Sequence, residues 1–149
     1  MSKNINSAEL KGFSPELSAL RGAKQKLYFS AKKRKMELCE FVFRKKIKGN
    51  LIIFRKTKFG ADKIMKMLAK RDMNAVCIHT EKTSNEKADA LKRFNNNSVN
   101  ILVITDKAFK NITPSKADMI INFDVPSYIQ DFVARFGTLK QKGTVHTFC

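Results

Sequence analysis

LIIFRKTKFGADKIMKML, residues 51–68, joins two patterns that decide the fold. Four apolar residues in a row, Leu51 to Phe54, follow Gly49-Asn50, which suits a strand buried on both faces. Apolar residues then recur at 61, 64, 65, 67, 68 and 69, the spacing of an amphipathic helix over Ala61–Arg71. Between them lies RKTKFG (55–60), a basic loop. A buried strand that feeds a helix is the repeating unit of a parallel sheet.

The unit recurs in both directions. NAVCIH (74–79), NILVIT (100–105), ADMIINFD (117–124) and GTVHTFC (143–149) read as further strands, with QKLYFS (25–30) as a short one before them. KRKMELCEFVFRK (33–45) predicts a helix with a basic side. SNEKADALKRFNNN (84–97) predicts another, with Ser84 as its N-cap and Ala88, Leu91 and Phe94 on its buried side. Three residues after Ser84 stands Lys87 rather than Glu, so its capping box reads as incomplete. The alternation predicts an α/β fold of three layers, a mainly parallel sheet with helices on both faces. Residues 1–23 are polar, small and patternless, and read as a basic or polar arm or linker ahead of one domain at 24–149. Ligands of such sheets bind at the loops leaving the carboxyl ends of the strands. The loops in question are 55–60, 80–87, 105–111 and 124–127.

The chain of 149 residues carries 30 Lys plus Arg against 13 Asp plus Glu, a net charge of +17. Residues 1–60 hold 16 basic and four acidic residues, and 61–149 hold 14 and nine. AKKRK (31–35), FRKKIK (43–48) and FRKTK (54–58) concentrate that excess. The surplus fits a polyanionic partner, nucleic acid or an acidic membrane surface, better than a small neutral substrate. No apolar run reaches the roughly 18–20 residues of a membrane span, and the N-terminus lacks a signal-peptide core. Cys39, Cys77 and Cys149 are too few and scattered for a disulfide framework or zinc site. Cys39 and Cys77, in apolar contexts, read as buried small hydrophobes. A reduced, cytoplasmic setting is the expectation.

Catalytic signatures are sparse. Neither GxxxxGKT nor GxGxxG occurs, so the chain carries no phosphate-cradling loop and no cofactor is expected. His79 ends a strand, where a satisfied hydrogen-bonding role competes with a catalytic one. Asp106 and Asp124 each follow an apolar strand, placed either to act chemically or to cap the next segment.

Taken in order, LIIFRKTKFGADKIMKML (51–68), IHTEKTSNEKADALKRF (78–94), ILVITDKAFKNIT (101–113), MIINFDVP (119–126) and DFVARFGTLKQ (131–141) carry a resemblance. They resemble, from about Gln25 to Cys149, the C-terminal RecA-like lobe of DEAD-box RNA helicases. The resemblance implies a RecA-like fold and a grip on the sugar-phosphate backbone of single-stranded RNA. The RNA-facing positions it implies are Arg55, Lys56, Thr57 and Lys58, then Thr80, Ser84 and Lys87, then Thr105 and Lys110. Lysine replaces the family arginine at 87 and 110, which keeps charge but gives up bidentate phosphate geometry.

The departures fall on the side that faces ATP in the family. Where the family reads HRIGRTGR, this chain reads ARFGTLKQ (134–141), with Ala134 for His, Thr138 for the second Arg and Gln141 for the third. Arg135 and Gly137 are what remains of that motif. An arginine finger contributes about 10³–10⁵ in rate by stabilising transition-state charge, which threonine and glutamine cannot do. Where the family reads TDVAARGLD, this chain has TDKAFKNIT (105–113), with Asn111 for Gly and Thr113 for Asp. The expectation is an RNA-binding lobe without ATPase activity, similar to the ATPase-dead lobes of Yb-type Tudor proteins in small-RNA pathways. Two other readings stay open: half of an active ATP-dependent helicase, and a protein-interaction module that self-associates as a homodimer.

Overall fold

The computed structural model describes residues 2–5, 23–44 and 47–149. Seven strands form one sheet in the order β1-β2-β7-β6-β3-β5-β4. They are β1 (Ser2–Ile5), β2 (Lys24–Tyr28), β3 (Leu51–Arg55), β4 (Ala75–Ile78), β5 (Ile101–Thr105), β6 (Ala117–Asn122) and β7 (Leu139–Phe148). Every neighbouring pair is parallel except β1 with β2. The helices are α1 (Lys35–Arg44), α2 (Lys58–Lys70), α3 (Ser84–Asn95), α4 (Asp106–Phe109) and α5 (Ile129–Phe136). The expected three-layer α/β fold is present.

β3 is the centre of the sheet, paired with β5 on one side and β6 on the other. Its side chains alternate between two cores, as the period of a strand requires. Ile52 and Phe54 join a cluster with Ala90 and Phe94 of α3, Ala108 of α4 and Phe136 of α5. Leu51 and Ile53 join the other, with Cys39, Val42 and Phe43 of α1 and Ala61, Ile64 and Leu68 of α2. Each of the fully buried Leu, Ile and Phe side chains contributes about 1.5–3 kcal/mol of burial free energy. No helix among the described residues is long and apolar enough to cross a membrane.

Several boundaries differ from the sequence reading, each for a local reason. α2 begins at Lys58 rather than Ala61, because the Thr57 hydroxyl accepts the Gly60 backbone N–H at 3.0 Å and caps the helix three residues earlier. α3 is capped by Thr83, not Ser84. Counted from Thr83, the residue at the third helical position is Glu86, and the capping box is complete. Ala90, not Ala88, lies on the buried side of α3 with Phe94. β7 starts at Leu139, ahead of the expected Gly143. Between the pairs Ala117↔Leu139 and Met119↔Thr144 its register against β6 shifts, and Lys142 there adopts a φ of 64°. Four residues of the expected N-terminal arm form strand β1; its residues 6–22, like Lys45 and Lys46 of the second basic run, lie outside the described residues.

Candidate nucleic-acid interface

The carboxyl ends of β3, β4, β5 and β6 meet at one rim, and their loops carry nearly all the residues singled out from sequence. Asp124, just beyond β6, ties two of these loops together. Its Oδ2 accepts the Arg55 Nε–H at 2.9 Å and the Lys56 backbone N–H at 2.8 Å. Arg55 also donates to the Gly60 carbonyl at 3.3 Å and lies 3.8 Å from the Phe123 ring centroid. Its side chain is only 13% exposed. Asp124 therefore acts as a tether, and the Arg55 guanidinium is committed inside the protein rather than offered to a ligand.

Lys56 is exposed, with Nζ 3.3 Å from the Ser127 hydroxyl. Thr57 spends its hydroxyl on the α2 cap. Lys58 pairs with Glu81 across to the β4–α3 loop. In that second loop, Thr80, Ser84 and Lys87 line a cavity of about 280 Å³ shared with Lys107 and Asn111 of the loop after β5. Lys110 is exposed and borders a neighbouring cavity of about 350 Å³ with Asp106, Phe109, Asp131 and Ala134. Thr105, the last residue of β5, is 4% exposed. Thus Lys56, Thr80 and Lys110 reach the surface of the rim, Lys58 and Lys87 do so partly, and Arg55 and Thr105 turn inward. Sequence reasoning did not single out Lys107; its signal was the spacing of three to Lys110, which in a helical turn places both on one side. A larger cavity, about 580 Å³, opens elsewhere, beside β2 and α1, and shares no residue with these loops.

The residues left over from the ATP-facing motif have a different environment. Arg135 is fully buried: its Nε and Nη2 hold both carboxylate oxygens of Asp106, and Nη1 donates to Asn122 Oδ1 at 3.2 Å and to the Asp124 carbonyl at 2.8 Å. Gly137 caps the end of α5 and is exposed. Thr138 is buried, its hydroxyl donating to the Arg135 carbonyl at 2.6 Å, and Gln141 is exposed on β7. Arg135 is thus a strut between α5 and the β5–α4 junction. In this structure it presents no guanidinium to a nucleotide.

Asp62, Cys77 and His79 form a group whose ligand-type atoms lie within 4.8 Å of one another. The hydrogen bonds give the group a different character. His79 Nδ1 accepts the Glu81 backbone N–H at 3.2 Å, which leaves the ring proton on Nε2, facing Asp62 Oδ1 at 3.2 Å. A metal on Nε2 would force two donors together at Nδ1. Burial also pushes the Cys77 thiol up to about 11, and a thiol must ionise to ligate. His79 has the satisfied hydrogen-bonding role, linking α2 to the β4–α3 loop.

Residues 32–138 match the helicase conserved C-terminal domain. The chain belongs to that family. The ATP-dependent RNA helicase vasa of Drosophila melanogaster is 32% identical over 92 residues, which are 62% of this chain and 14% of vasa. This helicase C-terminal domain superposes on the C-terminal domain of the DEAD-box protein Dbp5 with a TM-score of 0.77 at 21% identity, covering 86% of this chain and 77% of that one. It superposes on S. cerevisiae Dbp5 bound to RNA and ADP BeF3 with a TM-score of 0.74 at 20% identity, covering 86% and 35%. Helicase C-terminal domains of DEAD-box RNA helicases are what this chain is similar to in sequence and in fold. It spans between 10% and 20% of the length of the curated relatives it matches.

Proposed function

We propose that this helicase C-terminal domain binds single-stranded RNA through the sugar-phosphate backbone and does not itself support ATP hydrolysis. The observation that carries the RNA reading is the convergence of Lys56, Lys87, Lys107 and Lys110 from three strand–helix loops onto one rim. Point charges from separate loops suit a phosphate chain, and phosphate contacts hold a strand without reading its bases. Membership of a family whose relatives are named RNA helicases favours RNA over an acidic membrane. The inactive reading is supported by Thr138 and Gln141 at the family's arginine positions and by the burial of Arg135. On the same ground we assign it to the ATPase-dead lobes of small-RNA pathways in the cytoplasm. Sequencing RNA crosslinked to it in cells tests that assignment, and a lack of small-RNA precursors would overturn it.

A salt titration tests the binding mode. Each phosphate neutralised on a single strand adds about 0.7 to the slope of log affinity against log salt. Replacing Lys56, Lys87 and Lys110 together by Ala lowers the slope by roughly 2 and weakens all sequences alike. Lys48, Lys66 and Lys70, exposed and toward the opposite rim, are the matched control. Equal losses in both triple variants would assign binding to diffuse charge.

The relatives' own names favour a second reading, in which this domain completes an ATP-dependent helicase with an N-terminal lobe. Turnover measured with that lobe added separates the two.

A further inference from the structure

We propose that Phe59 is a stacking platform for one nucleobase of the bound strand, an inference that rests on the RNA-binding reading above. Phe59 is 71% exposed, more than any other large hydrophobic side chain among the described residues. It stands in the first turn of α2, whose buried face is built from Gly60, Ala61, Ile64, Met67 and Leu68, so the core does not use its ring. Phe109, the other aromatic of these loops, packs edge-on against Phe54 with centroids 5.2 Å apart and is occupied.

The ring is held in place rather than left loose. Thr57 caps the helix turn that carries it, and the Lys58 ammonium, fixed by Glu81, lies 5.1 Å from its centroid. A cation near an aromatic ring is stabilised by the ring's quadrupole. Lys56, three residues earlier and exposed, supplies the neighbouring positive charge. An aromatic face beside lysines is the combination that takes single-stranded nucleic acid: the charges follow the backbone and the ring takes a base of any identity. An apolar protein surface would gain nothing from desolvating those two ammonium groups.

The test is a fluorescence-anisotropy titration of a short RNA and of a ribose-phosphate chain of equal length without bases. Phe59→Ala weakens binding of the base-bearing strand by about tenfold, a typical stacking loss. It leaves the salt slope and the affinity for the baseless chain unchanged. Phe59→Leu behaves like Ala, and Phe59→Tyr restores binding. Melting curves check that all three variants fold, as expected for an exposed position. Equal loss on both strands, or no loss on either, overturns the platform while the RNA-binding reading stands. Binding of neither strand by the unaltered protein overturns both. Self-association of the unaltered protein that Phe59→Ala abolishes, with RNA affinity intact, overturns the proposal in favour of a protein contact.

Discussion

Arg135 grips Asp106 with two parallel hydrogen bonds, Nε to Oδ1 at 2.8 Å and Nη2 to Oδ2 at 2.6 Å, at a site where the arginine side chain is wholly buried. The pair ties α5 to the end of β5 across 29 residues of chain. Bidentate geometry of this kind is specific to arginine. Its consequence is structural: the charge that survives in the family's ATP-facing motif holds the domain together.

Removing one partner of a buried pair leaves the other charge without compensation and costs about 3–5 kcal/mol. Asp106→Ala is expected to lower stability by that order, a large share of the roughly 5–15 kcal/mol of an ordinary domain. Arg135→Lys should also destabilise, because a single ammonium cannot reach both carboxylate oxygens, Asn122 and the Asp124 carbonyl. Urea unfolding followed by circular dichroism measures both. A midpoint unchanged in Asp106→Ala would show that the pair carries no net stability.

With Thr138 buried and Gln141 uncharged, the protein mixed with a DEAD-box N-terminal lobe and RNA is expected to release no phosphate above the lobe alone. Any RNA-dependent increase in phosphate release would favour the active-helicase reading.

Ile53 is fully buried in the central strand, opposite Val103 of β5 and Ile121 of β6. Ile53→Asp places an unpaired charge in the core between the sheet and helices α1 and α2 and should abolish the cooperative melt, since the cost runs to several kcal/mol. A variant that melts like the parent protein would contradict the position of β3 at the centre of the sheet.

Asp118 accepts the Asn50 backbone N–H at 2.9 Å and the Lys140 ammonium at 3.3 Å. The Asn50 backbone hydrogen bond, the largest effect, holds its carboxyl below the usual carboxylate value; burial opposes it, and the Lys140 ammonium adds to the lowering. The unfolded chain then takes up this proton at a higher pH than the folded one. The contribution is complete above the ordinary carboxylate pKa of about 3.9 and is lost as pH falls below it toward the folded value. Asp118→Asn should flatten that part of the acid limb of a stability–pH curve and leave the neutral region's slope unchanged. An acid limb identical in parent and variant would remove Asp118 from the account.

Self-association was the third possibility left open by the sequence. Light scattering with and without RNA decides it: a monomer mass in both states leaves RNA binding to the single chain, whereas a doubled mass that persists after RNA removal marks a protein-interaction module.

Much of the architecture was legible in the residues. LIIF had to be a strand covered on both faces, and the alternation of such runs with helical spacing led to the parallel sheet and placed the four loops on one rim. These features depend on period and hydrophobicity, which are local properties of a chain. The capping threonines were legible in principle, but the choice between Thr83 and Ser84 turned on which residue is already helical, a matter of backbone angles rather than composition.

What the tertiary structure alone decided was the use of each charge. Arg55 and Lys56 are neighbours in sequence, yet one is spent on Asp124 and the other reaches solvent. Arg135, conspicuous as the last arginine of its motif, is turned inward by Asp106, and of the two loop aromatics Phe109 packs on Phe54 while Phe59 is the ring left outside. The partners concerned stand 69 and 29 residues away along the chain. Periodicity reports which side of a strand or helix faces a core, but ion pairs over such separations form only once the sheet order brings loops together. The sequence therefore determined the scaffold and its rim, and the packing of β3, β5 and β6 determined which cations remain free to meet a phosphate.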